Sequence, residues 1–206
     1  MDLILKKAEN FSYSDSDIKR FLDNDVVIRK YSELANCRSL DDIITDEKGE
    51  KKSCSIILYM IKPNFGHWTA LIKDPGLEKG TFEFFDSYGL MPDDELKYVP
   101  KGSESLNGGI TIDEKGDERP NELLGNLILN DMKYGKVKNV YYNKTKLQED
   151  KTSSIDDESM NMNTCGRWCS VRCQLRNFKI DEFCLIFLNQ KLKGDDYVTL
   201  LTLMNK

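Results

Sequence analysis

An α+β domain built on a central, at least partly antiparallel sheet is the fold class this sequence predicts. Two patterns carry that expectation. Helical and extended segments alternate in the order helix, strands, helix, strand, helices, and three of the extended runs follow one another closely enough to pair as neighbours. The chain length of 206 residues adds a third, because it suits one medium-sized domain with a real core. We therefore expect a single unit over residues 1–206, mainly helical at 1–52, with its core at 53–175 and a helical C-terminal part at 176–206.

SYSDSDIKRFL (12–22) reads as a capped helix, since Ser and Asp side chains that accept bonds from first-turn N–H groups precede apolar residues at helical spacing. YSELANCRSLDDII (31–44) reads as a second short helical region, and TDEKGEKK (45–52) is too charged to be buried. CSIILYMI (54–61), HWTALIK (67–73) and TFEFFDS (81–87) are rich in β-branched and aromatic residues and bounded by Pro, Gly and Asp, as strands are. A long polar segment (101–121) follows, in which Asn107, Gly108 and Gly109 read as a flexible turn. NELLGNLILNDM then predicts a helix beginning near Pro120 and Asn121. NVYYNKTKL (139–147) predicts one more strand, and EDKTSSIDDES (149–159) an exposed acidic loop. From Cys165 through Leu175 the pattern is helical, and an apolar run, FCLIFL, precedes a last helix near DDYVTLLTLM.

Composition narrows the function. With 39% hydrophobic and 32% charged residues the chain has an ordinary globular balance, and no run approaches the roughly 18 apolar residues of a membrane span. At the N-terminus, MDLILKKAENF places its positive charge after a very short apolar stretch, the wrong order for a signal peptide. The six cysteines are therefore expected as reduced thiols in a cytosolic setting. A net charge of −5 argues against broad nucleic-acid affinity, which draws on clustered Lys and Arg. Lys133, Lys136, Lys138, Lys144 and Lys146 read as a solvated strand face and turn.

His67 is the chain's single histidine, so any mechanism that needs imidazole must use it. If HWTALIK and TFEFFDS form a hairpin with 74–80 as a symmetric connection, Lys73 faces Thr81, His67 faces Ser87 and Trp68 faces Asp86. His67 and Asp86 then lie within one residue of register, where opposed residues are about 5 Å apart. A carboxylate so placed would orient the ring, fix its tautomer and stabilise the imidazolium. Among the cysteines, Cys165 stands at a helix start behind Asn163 and Thr164, a position that favours thiolate, and Gly166 beside it leaves room for a substrate backbone. Cys169 and Cys173 fall one and two turns further along the same face and read as buried packing residues. Three cysteines on successive turns span about 12 Å and cannot share one ion. A two-cysteine zinc site completed by Cys184 or Cys54 is the rival, and we expect neither metal nor cofactor. Papain-like chain order is excluded, because no histidine follows Cys165.

The order His67, Asp86, Cys165, with GHW (66–68), FFDSYG (84–89) and TCGRW (164–168), resembles the adenovirus-protease and Ulp1-like cysteine peptidases. The look is nearest to the capsid-maturation proteases of virophages and large DNA viruses, and PDDEL (92–96) is similar to the viral branch. The resemblance covers residues 54–175. It implies an adenain/Ulp1-like fold with a mixed or antiparallel sheet flanked by helices and the nucleophile at a helix N-terminus. It also implies that Cys165 is the nucleophile, His67 the general base, Asp86 the orienting acid and Trp68 a shield over the site. A Gln upstream of the Cys donates to the oxyanion in that family. Here Ser159 occupies the usual spacing, which leaves Gln148, Asn161 and Asn163 as candidates, with Gln148 preferred. The implied activity is endopeptidase cleavage of viral capsid and structural precursors after a small residue such as Gly, in the host cytoplasm or virus factory, with packaging in the virion. An activating peptide is a partner the family admits, while the net charge of −5 speaks against a DNA cofactor. A deconjugating peptidase for ubiquitin-like or SUMO-like tails and an inactive scaffold that keeps the fold are the alternatives. Self-cleavage at Gly108–Gly109 would be a further consequence.

Overall fold

The computed structural model describes residues 13–149, 164–188 and 190–204. Its frame is a five-stranded mixed sheet in the order β1-β2-β3-β4-β7, formed by β1 (Val26–Lys30), β2 (Cys54–Lys62), β3 (Phe65–Lys73), β4 (Thr81–Phe85) and β7 (Asn139–Tyr142). The central β2–β3 and β3–β4 pairs are antiparallel, and β1 and β7 add to the two edges in parallel. A separate hairpin, β5 (Ile110–Ile112) with β6 (Glu118–Pro120), stands apart from this sheet. Helix α1 (Asp15–Phe21) precedes β1, a short α2 (Leu40–Ile43) precedes β2, and α3 (Leu123–Lys133) precedes β7. The C-terminal part holds α4 (Cys165–Gln174), α5 (Ile180–Leu188) and α6 (Gly194–Met204).

Alternation along each strand sends side chains to opposite faces, so the sheet carries two cores. Ile56, Ala70, Ile72 and Phe85 pack with Trp168, Cys169, Val171 and Cys173 of α4 and with Phe183 and Phe187 of α5. On the other face Ile57, Tyr59, Leu71, Phe82 and Phe84 pack with Leu34, Leu40, Leu124 and Ile128. Helix α4 is fastened to β4 by a buried ion pair in which both Arg172 Nε and Nη2 donate to Glu83 at 2.7 Å. Arg172 also donates to the carbonyls of Leu175 and Phe178, beyond the helix end. Its guanidinium therefore supports both the body of α4 and the turn after it.

Several elements differ from the sequence expectation. Among the described residues before 53 (13–52), the structure is not mainly helical: Val26, Val27 and Ile28 form part of an edge strand, whose short β-branched run is flanked by stronger helix signals. Residues 31–44 split into a 3-10 turn at Tyr31–Asn36 and α2. Pro120 lies in β6, so α3 begins at Leu123. β7 stops at Tyr142, because the following residues leave the ladder to bind the turn after β4. Asn107 is no flexible turn residue. It is buried, and its amide both donates to the Met60 carbonyl and accepts from the Met60 N–H, filling the ladder beside the irregularity in β2.

The β3–β4 register also departs by one residue, with consequences for the site. Lys73 pairs with Phe82 and Ala70 with Phe85. Asp74 takes a left-handed backbone, its N–H donates to the Thr81 carbonyl and its carboxylate accepts from the Gly80 N–H, so residues 75–80 alone make the connection. Extending the observed pairing sets Thr69 opposite Asp86 and His67 opposite residue 88. His67 and Asp86 then share one face of the hairpin, whereas the symmetric register would have placed them on opposite faces.

Candidate active site

Three local devices bring the site together. At the start of β3, Gly66 lies so close to β2 that a Cβ would meet the Tyr59 carbonyl oxygen at 1.8 Å. Only glycine allows this approach, which seats His67 opposite Tyr59 and buries it. At the end of β4, Asp86 opens a turn closed by Gly89, whose N–H donates to the Asp86 carbonyl. The Tyr88 N–H donates to Asp86 Oδ1 at 2.6 Å, which leaves Oδ2 for the imidazole. At the start of α4, Cys165 is the first helical residue and is buried. The side chain of Thr164 makes no capping bond, so it does not consume the first-turn N–H groups.

His67 Nε2 lies 3.0 Å from Asp86 Oδ2. A carboxylate acceptor there keeps the proton on Nε2 and leaves Nδ1 as the nitrogen available for proton transfer. Nδ1 is buried without a completed hydrogen bond, yet the Cys165 thiol is near enough to influence the ring. Sulfur and imidazole are thus neighbours. Burial alone would push the imidazole's proton affinity down, but the charge and hydrogen bond of Asp86, followed by Cys165, override it and hold the His67 pKa well above the ordinary 6.5.

The sequence reading missed two further groups. The Tyr88 ring stacks on His67 with centroids 5.0 Å apart. Glu95, in a 3-10 turn at Asp94–Tyr98, sets Oε1 3.7 Å from His67 Nε2. Its placement follows from the preceding Asp93, which accepts from the Tyr31 and Tyr59 hydroxyls and from the Gly125 N–H. PDDEL carried the signal, but no spacing rule told which of its acids would turn inward.

Cavities open on both sides of the start of β3. One of about 500 Å³ is lined by Tyr13, Leu58, Phe65, Gly66, Trp68 and Gly166. The other, about 650 Å³, is lined by Ile61, His67, Tyr88, Leu90, Glu95, Tyr98 and Lys146. Neighbouring residues of one strand thus face two depressions, an arrangement suited to an extended chain passing over the strand end. A Cβ on Gly166 would meet Trp68 Cδ1 at 3.3 Å, so the glycine keeps the first of these open beside Cys165.

No family model matches this chain. A protein of Sputnik virophage named "Uncharacterized protein V9" is 31% identical over 206 residues, covering 97% of this chain and 98% of that protein. The chain belongs to the virophage V9 family. Among the described residues of this V9-family chain, no helix is long and apolar enough to cross a membrane.

Gln148 is buried in this V9-family site, with its Oε1 accepting from the Ser87 hydroxyl at 2.6 Å and its Nε2 donating to the Tyr88 hydroxyl at 3.1 Å. The Ser87 carbonyl also accepts the N–H groups of Leu147 and Gln148. Gln148 is thereby one side chain removed from His67, through Tyr88. Asn161 and Asn163 lie outside the described residues. Cys169 donates to the Trp68 carbonyl, burial pushes the thiols of Cys169 and Cys173 well above their ordinary pKa, and no disulfide forms among the described residues. His67, Asp86 and Glu95 offer atoms within 4.8 Å of one another. Asp86 already serves the Tyr88 N–H and the imidazole, so the set is a hydrogen-bonded charge centre rather than an open cation cage.

Proposed function

We propose that the chain is a cysteine endopeptidase on an adenain/Ulp1-like scaffold, and that it processes viral structural precursors during particle maturation. The observation that carries this reading is the lone imidazole, bonded through Nε2 to Asp86 and adjacent to a thiol at a helix start. Membership of a virophage family supports the viral setting.

The reaction follows from the arrangement. His67, which holds a proton more tightly than an ordinary imidazole, takes the Cys165 proton at Nδ1, and Asp86 offsets the charge that appears on the ring. The sulfur attacks the scissile carbonyl, and the oxyanion accepts from the Cys165 backbone N–H and the second Nε2 hydrogen of Gln148. Such preorganised donors are commonly worth about 3–4 kcal/mol each. The C–N bond breaks as His67 protonates the leaving amine. Water then gives its proton to His67, attacks the thioester and releases the acid, and the thiol is restored. Cleavage after a small residue such as Gly is the specificity that goes with this reading.

Incubation with precursors of virophage structural proteins, with ubiquitin-like fusions as controls, tests this reading. Precursor cleavage that disappears in Cys165→Ala and His67→Ala is the expected result. Processing of the fusions alone would make the chain a deconjugating enzyme. Thiol alkylation no faster than that of an ordinary cysteine, and indifferent to loss of His67, would make it a scaffold.

A further inference from the structure

We propose that Glu95 is the second carboxyl of the His67–Asp86 unit, a positioning residue that sets how tightly the imidazole holds its proton and thereby how the Cys165 thiol is primed. Its catalytic consequence rests on the peptidase reading above; the charge coupling does not.

Geometry carries the assignment. The side chains of His67 and Glu95 are 3% and 10% exposed, so little water screens the 3.7 Å between Nε2 and Oε1. Nε2 faces two carboxyls, with Asp86 Oδ2 at 3.0 Å and Glu95 Oε1 beyond it. Asp93 fixes the turn that delivers Glu95 through three hydrogen bonds, and the next residue, Leu96, is buried in the core, so the carboxyl is held rather than mobile. The groups facing it are His67 from β3, Asp86 and Tyr88 from the turn after β4, Asp94 and Tyr98 from its own turn, and Lys146 from the segment after β7. Two carboxyls this close do not both ionise freely. Burial pushes the Glu95 carboxyl up; His67 counteracts this while Asp86 adds to it, and the result is about 7. Below neutrality Glu95 is an acid that donates to Asp86. Above neutrality it adds a negative charge beside the imidazolium and strengthens its hold on the proton.

Nitrogen NMR of the imidazole reads this directly, because the chain has one histidine. In the full wild-type chain the ring signals should show an inflection near neutrality. In Glu95→Gln, which keeps the shape of the protonated acid, the inflection should vanish and the ring should hold its proton about tenfold less tightly. Identical titration curves in the two proteins would overturn the proposal. Should the variant fail to fold, difference infrared spectra of the wild type across neutrality decide. A protonated-carboxyl band lost in step with the ring inflection supports the assignment, and absence of such a band overturns it. For catalysis, the pH profile of kcat/KM should lose its step near neutrality in Glu95→Gln while activity on the acid side persists. A purely structural role would depress the rate evenly at every pH, and that result would overturn the positioning role. A ring titration that responds to Glu95→Gln in a chain that cleaves nothing would uphold the charge unit and sink the peptidase reading alone.

Discussion

Asp86 does two jobs with one carboxylate, since Oδ1 accepts from the Tyr88 N–H and Oδ2 from the imidazole. Asp86→Asn keeps the size but lets an amide present N–H where the ring needs an acceptor, so the tautomer that leaves Nδ1 basic is lost. We expect kcat/KM to fall on the order of 10²–10⁴-fold with the fold intact, measured by peptide turnover beside circular dichroism. Gly66 tests the scaffold at the same scale. An added Cβ meets backbone at 1.8 Å, and backbone cannot rotate aside as a long side chain can. Gly66→Ala should cost about 1–3 kcal/mol in urea unfolding and displace His67 as well; an unchanged midpoint would mean that the close approach is not required. His67 and Cys165 were legible as candidates because each is rare in kind or place, a lone imidazole and a thiol opening a helix. Glu95 was not, because it is one of 35 acids and its distinction lies in a fold partner, Asp93, that holds it inward.

The helix that begins with Cys165 owes its position to packing more than to a cap. Its Trp168 is fully buried against Phe187 and donates to Asp195 at the start of α6, and its Arg172 meets Glu83 of β4 out of contact with water. Burial pushes the Glu83 carboxyl up, and Arg172 draws it back. Removing one member leaves a buried charge unpaired, so Arg172→Met should destabilise by about 3–5 kcal/mol. Glu83→Leu together with Arg172→Met should recover part of that loss, because no unpaired charge stays buried, while the Leu175 and Phe178 carbonyls still lose their donor. Chemical denaturation of the two single variants and the double variant closes the cycle, and additive losses would exclude the pair as the cause. The central strands were readable from their β-branched and aromatic runs. Their register was not: whether a connection has six or seven residues depends on Asp74 bonding to Thr81 and Gly80, which composition does not encode. The parallel edge strand β1 was missed for a related reason, since five residues gain strand identity from the neighbour they join.

Across the whole molecule, titration couples stability to the same residues that would perform the chemistry. Surface carboxylates such as Asp46, Asp94 and Asp113 have lowered pKa values from hydrogen bonds to their charged form, and their contribution is lost as pH falls through those values. The buried groups act with the opposite sign. Glu95 rises from an ordinary 4.5 to about 7, so between those values the folded chain holds a proton that the unfolded chain has released, and stability declines as pH rises. The raised value of His67 continues the decline: its contribution is complete below about 6.5 and is lost as pH climbs through the higher folded value. Glu83 and Asp93, both raised by burial, share the direction of Glu95. The alkaline side of the stability profile should therefore be dominated by the interior, and Glu95→Gln should remove one component of it. The stability gap between wild type and variant should change by on the order of 3 kcal/mol between mildly acidic and mildly alkaline conditions, shared among the interacting groups. Urea midpoints taken at several pH values measure that gap directly. Parallel profiles for the two proteins would mean that Glu95 titrates alike folded and unfolded, whereas separation with rising pH, the wild type losing the stability that the variant keeps, would tie the stability of the fold to the proton balance around His67.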